Sequence, residues 1–489
     1  EINTNATTVG ILLGSGSFAY ITNSSVNVNI NVNYGFNSDH RIKTIGSIAG
    51  TSYGEIRSVA STSNITVIHE QQTDDKVGNY DALYVGGIVG SMNGIVREAY
   101  IKDIEINVGS STRRSRAREN STGTFVGGII GFINRYFTVS DAEVGGANYL
   151  YANDCTINAY VSGRSYVGGL IGQNKYSTGD VSFTQSENST AISVYTTGEE
   201  SVTMIGGLIG SNSCSKIEKA YNNASLCVNV QGGVGFNNIS IGGLIGEVEA
   251  DCVLDFAVND AKLITITEEN RTHLGKQINA GGIIGYANSD SRITLSHCFT
   301  STDIKLDQEI NMNIGGAIGS ANGVNASNSL ILGDITLNRG EGDKSKADKD
   351  NNSYFYYGKH NIGGLVGSTN GFSTNKETNQ GVLTLSTIRD YALGQKVDIN
   401  VGAIIGTGGA LTQKLDKIYF CEPISLVADN GYNPYVTGVE QIDNGEGRPG
   451  LLTVYKEVFD NVFIAGNVLK NNGYSYYYEK YCNVENETD

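Results

Sequence analysis

Eleven copies of one six-residue phrase, V/I-G-G-L/I-I/V-G, run through the chain between residues 9 and 406. Clean copies stand at Val85–Gly90, Val167–Gly172, Ile205–Gly210, Ile241–Gly246 and Ile362–Gly367, and weaker ones at Val9–Gly14, Ile45–Gly50 and Val401–Gly406. The second position is glycine in every copy: Gly10, Gly46, Gly86, Gly127, Gly168, Gly206, Gly242, Gly281, Gly315, Gly363 and Gly402. The sixth is also always glycine, and the third is glycine except at Ile11, Ser47 and Ala403. Glycine at a fixed place in every unit marks a backbone need, either a positive φ or a neighbouring backbone too close for a Cβ. Successive copies lie 34 to 48 residues apart, about 39 on average. That self-similarity is the mark of a stacked solenoid, whose function lies in its loops and ends.

Between phrases the chain alternates with period two in β-branched residues, as in Ile217-Glu218-Lys219-Ala220-Tyr221 and Leu226-Cys227-Val228-Asn229-Val230. No stretch sustains a period of 3.6, so strands bounded by Asn, Asp, Ser and Gly are expected. Three short strands per unit predict an all-β fold, a single-stranded parallel β-helix of about eleven coils. Strands about 4.8 Å apart make that stack roughly 50 Å long. Strict alternation through the phrase would turn its Leu or its Ile outward, so a glycine corner inside the phrase is expected. The β-helix is expected over 1–425. Residues 426–489 leave the pattern, carry Gly431-Tyr432-Asn433-Pro434-Tyr435 and Tyr474-Ser475-Tyr476-Tyr477-Tyr478, and read as an irregular cap or an aromatic docking region.

The net charge of −16 argues against a nucleic-acid partner. No run of 18 apolar residues is present, so no membrane span is expected. The chain begins at Glu1 without a signal-peptide pattern and reads as a mature or trimmed product. The seven cysteines show no C-x-x-C and no framework spacing; they read as small buried hydrophobes, with Cys421 and Cys482 a possible disulfide. N-x-S/T sequons stand at Asn5, Asn23, Asn64, Asn120, Asn188, Asn223, Asn238, Asn270, Asn325, Asn351 and Asn486, and are candidates for N-glycosylation.

The phrase followed by a strand, a small residue with an aromatic, and a further strand resembles the GLUG repeat family. Ile205–Gly210 with Ala220-Tyr221 is a close copy, and the resemblance covers about residues 9–425. It implies a secreted or surface-exposed β-helical protein of bacteria or microbial eukaryotes, and it carries no catalytic motif.

Insertions precede the phrase at Gln71–Ala82, Gly109–Thr124, Thr196–Thr203, Glu268–Asn279 and Asn338–His360, which places them on one edge of the stack. One holds the basic run Arg113-Arg114-Ser115-Arg116-Ala117-Arg118, a solvated loop, a contact for acidic glycans or a protease-sensitive site. Asp348, Asp350 and Asn352 have the opening spacing of a calcium loop, but Ser353 and Lys359 replace its Gly and Glu, so no metal is expected. The residue after the phrase is Ser15, Thr51, Ser91, Ser211, Ser320, Ser368 or Thr407 in seven coils, a hydroxyl ladder and not an acid cluster. Glu247, Glu249 and Asp251 are the one acidic group near a phrase, and His40, His69, His273, His297 and His360 show no metal or triad spacing. No catalytic residue and no cofactor are expected. The leading expectation is a non-enzymatic extracellular structural or adhesive glycoprotein. It would assemble with itself head to tail, or partner other surface proteins or glycans. The alternatives are a β-helical carbohydrate-active enzyme and a glycan- or protein-binding module using the insertion edge. With eight residues before the first phrase, the first coil is expected to lack a cap.

Overall fold

The computed structural model describes residues 1–426, except 17–19, 35–41, 70–80, 111–114, 117–122, 135–146, 176–181, 185, 198–201, 232–237, 262, 269–276, 308–310, 339–359, 374–381, 385–387, 392–398, 403, 409–417 and 421–423, and also residues 440–441. The chain is an all-β parallel solenoid. Strands follow one another in fixed order, and every strand pairing among the described residues is parallel. They form three sheets. The first runs from Ile2–Thr4 to Ile424–Leu426, and the second from Thr8–Val9 to Ile399–Gly402. The third takes the rest, and its last described pairing joins Tyr419–Phe420 to Glu440–Gln441, past the expected boundary at 425.

One coil shows how the sequence makes the path. Val202–Gly206 lies in the second sheet and Ile209–Asn212 in the third. Lys216–Glu218 and Tyr221–Asn222 continue the third sheet, and Leu226–Gln231 enters the first. The chain bends at Gly207 and Leu208, inside the phrase. That corner lets Ile205, Leu208 and Ile209 all reach the core, each with no exposed surface. Alternation alone would have turned one of them outward.

The phrase glycines are in register, Gly86 opposite Gly46 and Gly127, and so on through Gly168, Gly206, Gly242, Gly281, Gly315, Gly363 and Gly402. Gly10 follows Val9, which pairs with Ile45 beside Gly46. The backbone need is close approach. A Cβ on Gly206 would fall on the carbonyl oxygen of Ile209, and one on Gly210 would sit 2.7 Å from the amide nitrogen of Val167 in the preceding coil. The two arms of the phrase therefore pack face to face across bare glycine. Inside, identical or similar side chains stack coil on coil. The column Ile45, Val85, Val126, Val167, Ile205, Ile241, Ala280, Ile314 and Ile362 is fully buried, within one continuous apolar cluster. Each large aliphatic side chain buried this way contributes about 1.5–3 kcal/mol.

The insertions Gln71–Ala82, Gly109–Thr124, Thr196–Thr203, Glu268–Asn279 and Asn338–His360 all join a first-sheet strand to the next second-sheet strand, so their ends share one edge of the stack. No helix among the described residues is long and apolar enough to cross a membrane.

Candidate functional site

A buried amide ladder lies opposite the third phrase glycine. Asn188 Nδ2 donates to Asn222 Oδ1 at 3.0 Å, and Asn222 Nδ2 to Asn259 Oδ1 at 2.8 Å and to the Gly243 carbonyl at 2.7 Å. A Cβ at Gly169, Gly207 or Gly243 would land on one of these amides. In the second coil Ser47 replaces the glycine, and its hydroxyl donates to the Gly87 carbonyl. The ladder corrects one expectation about the surface. Asn188 is 1% exposed and its amide nitrogen is spent inside, so this sequon has no room for a glycan in the folded coil.

The other sequons divide by exposure. Asn5, Asn23 and Asn238 are exposed, whereas Asn64, Asn223 and Asn325 are half-buried. Asn64 Oδ1 accepts from the Glu105 amide at 2.7 Å. Asn120, Asn270, Asn351 and Asn486 lie outside the described residues, as do Cys421, Cys482, Asp348, Asp350, Asn352, most of the basic run and the tyrosine-rich segments after 426. Cys155, Cys214, Cys252 and Cys298 are buried cysteines outside any disulfide among the described residues, and Cys227 is an exposed one. Burial pushes the Cys155 thiol up to about 11 and that of Cys298 to about 12. Among the described residues no group of His, Cys, Asp and Glu comes together that could hold a metal ion.

The outer faces of the two phrase arms meet in a notch that runs along the stack. Thr51 Oγ1 donates to Thr44 Oγ1 across it at 3.1 Å. Further along, Tyr84, Phe125, Phe132, Tyr166 and Met204 fill it as a second small apolar cluster, with ring centroids 4.7–5.3 Å apart. Near its far end Asn279, Asn313, Asn361 and Asn400 bridge one another by amide bonds of 2.8–2.9 Å.

Between these stretches the notch turns ionic. Glu249 Oε1 accepts from Gln173 Nε2 and Ser211 Oγ, both at 2.9 Å, and its Oε2 accepts from Ser213 Oγ at 2.8 Å. Gln173 is 1% exposed, and its carbonyl oxygen has no partner among the described residues. Glu247 stands in register between Ser211 and Tyr286. Burial, and secondarily the Glu249 charge, push its carboxyl up to about 7, against the pull of Ser211, Arg164 and Lys175. Tyr286 is raised by burial and by Glu247. The third acid, Asp251, does different work: its Oδ1 accepts from the Arg292 amide at 2.7 Å in the next coil. The hydroxyl ladder is therefore interrupted by Phe132, Gln173, Glu247 and Tyr286 in mid-stack.

A second outer feature went unread in the sequence. In each of eight coils the third-sheet path carries a non-glycine residue with left-handed backbone: Asn23, Ser58, Glu98, Tyr149, Lys219, Phe256, His297 and Asn328, with φ of 46–56°. Where a strand runs through it, this residue drops out of the pairing register, as Glu98 does between Arg97 and Ala99. It is a column of bulges. The signal was present: inward positions run Val96, Ala99, Ile101, a step of three within a period of two. The column clusters polar chemistry on the outside. His297 Nδ1 lies 3.2 Å from Asp255 Oδ1, and its ring stacks on Phe256 at 4.5 Å. His360 by contrast is buried in the second sheet, so the two histidines do not converge. Near the start of the stack, Arg57 Nη2 donates to Glu98 Oε1 at 3.1 Å and Ser58 Oγ donates to Glu98 Oε2. These donors hold the Glu98 carboxyl below its usual range. No family model, no curated protein and no solved structure matches the chain.

Proposed function

We propose that the chain is a non-enzymatic extracellular structural or adhesive protein of the GLUG-repeat kind, a stiff glycosylated rod whose outer columns meet partners. One observation carries the reading: the parallel register continues from Ile2–Thr4 to Ile424–Leu426, while outward positions change chemistry from coil to coil. A quasi-one-dimensional stack of this kind gives an extended surface and no central pocket. Sedimentation with electron microscopy of the full chain tests it. Rods that join end to end, or that are retained on immobilised extracellular glycans, are expected. A strictly monomeric particle retained on no such surface overturns the reading.

A second reading, a carbohydrate-active enzyme, is favoured by the notch. A carboxyl near 7 stands beside a second carboxylate and an unspent amide oxygen, the ingredients of acid–base work on a glycosidic bond. Against it, both oxygens of Glu249 are already bonded. Reducing-sugar release from a polysaccharide panel between pH 5 and 8, abolished by Glu247→Gln, would establish the enzyme in place of the rod.

A further inference from the structure

We propose that a cleft on the outer face of the first three coils is a binding site for a neutral pyranose. This names the ligand class of the adhesive reading and rests on it. The cleft has a volume of about 320 Å³ and is lined by Asn23, Ser25, Ser58, Glu98 and Tyr100 among others. That is at the lower end of small-molecule sites, roughly 300–1,000 Å³.

The aromatic wall is an interrupted stack. Tyr100 and Tyr151 stand in register on adjacent coils, with ring centroids 4.8 Å apart and planes within 8°. On the other side of Tyr100 the same column continues as Ala60 and then Ser25. Two small side chains follow two rings, so the ring stack ends on an open face. Tyr100 is 47% exposed. Coils repeat about every 4.8 Å, close to the thickness of one stacked ring. A pyranose ring continues the stack there, setting its polarised C–H bonds against the electron-rich face of the tyrosine.

The polar wall is the bulge column. Asn23, Ser58 and Glu98 have φ of 49°, 52° and 52°, a backbone region that non-glycine residues keep only where the surroundings hold it. The column turns two hydroxyl- or amide-bearing side chains and a carboxylate toward the side of the ring where a sugar carries its hydroxyls. Ser58 and Arg57 keep Glu98 ionised and occupy one site on each oxygen. A carboxylate has about four acceptor sites, so roughly two remain for ligand hydroxyls. Arg57 offsets the Glu98 charge locally, and the chain's net charge of −16 disfavours acidic sugars, which selects a neutral ligand.

The test uses the full chain made in a bacterial host, which leaves the Asn23 sequon bare and the cleft open. The probes are immobilised oligosaccharides with neutral hexose or N-acetylhexosamine ends, beside sulfated and sialylated ones. Binding to at least one neutral class is expected. It should fall at least tenfold in Tyr100→Ala and in Glu98→Gln, and survive in Tyr100→Phe and in Tyr195→Ala, which alters a stacked pair on a different sheet. Neutral binding that Tyr100→Ala leaves intact would put the contact elsewhere, overturning the cleft while keeping adhesion. Binding to acidic probes alone, or to none, also overturns the proposal; the end-to-end association of rods then decides the structural reading separately.

Discussion

Gly206 and Gly14 hold the same residue type within the same phrase, at its second and sixth positions, and meet opposite surroundings. A Cβ on Gly206 lands on the Ile209 carbonyl, whereas one on Gly14 meets nothing within 4 Å. Gly206→Val is therefore expected to cost more than about 2 kcal/mol, through a clash of fixed backbone. Gly14→Ala should stay within about 0.5 kcal/mol, as surface changes do. Urea midpoints of both variants check this, and equal shifts would mean that close approach is not what the glycines serve. That need was legible in the sequence as a choice of two causes; only the path of the neighbouring coil could decide between them. Glu247 offers a second residue-scale expectation. Its carboxyl is raised to about 7 in the folded chain, above the ordinary value near 4.3 for an unfolded Glu. Below the unfolded value both states are protonated and nothing is lost. As pH rises toward 7 the folded state holds the extra proton, so stability falls, by about 3–4 kcal/mol once the folded carboxyl ionises. Glu247→Gln should match the wild type near pH 4 and exceed it above pH 7. A difference that does not vary with pH would exclude this burial cost.

Columns, more than single strands, are the elements of this fold, and their legibility depended on whether they face in or out. Inner columns repeat one residue class at one period, so Ile205, Leu208 and Leu226 announce themselves in a single coil. The ionic notch is assembled across coils: Gln173 reaches Glu249 over 76 residues. Glu247, Glu249 and Asp251 were visible as neighbours in sequence, but nothing local says that two turn into a notch while the third ties down the next strand. The buried amide ladder was hidden for the opposite reason. Asn188 and Asn222 look like turn residues at or beside a sequon, and only their sharing a face with buried Ser186 and Thr190, and with buried Ala220 and Ala224, places them inward. Asn222→Leu is expected to cost about 1–3 kcal/mol, because the Gly243 carbonyl and the Asn259 amide lose a buried partner. Asn223→Gln next to it should be nearly silent. Peptide mapping of chain from a glycosylating host adds a chemical readout: Asn188 should stay bare while Asn5 or Asn238 carries sugar. Sugar on Asn188 in folded protein would contradict the ladder.

At the scale of the whole molecule, stability in a solenoid is close to a sum of coil and interface contributions, so the ends should open before the middle. The first described coil shows why. Ile2–Thr4, Thr8–Val9, Leu13–Gly16 and Tyr20–Val26 each pair on one side only among the described residues. Leu12 is 50% exposed and Tyr20 76%, and Ile11, Leu13, Ile21 and Val28 are only partly buried against the core. Mid-stack strands such as Ile209–Asn212 and Asn238–Gly242 pair on both sides over fully buried rungs. Amide exchange should therefore be fast in the first coil and slowest around coils 5 to 8. Such an edge, with strands paired on one side above an apolar rung, is a template for another strand. If a second copy covers it, the contact is head to tail, and such contacts extend into filaments unless they close. Exchange across the first coil should then slow as concentration rises into the micromolar range, in step with faster sedimentation. Leu12→Asp should abolish both effects and leave mid-stack exchange unchanged. Concentration-independent exchange in the first coil, with a single sedimenting species of 52.0 kDa, would rule out assembly through this end.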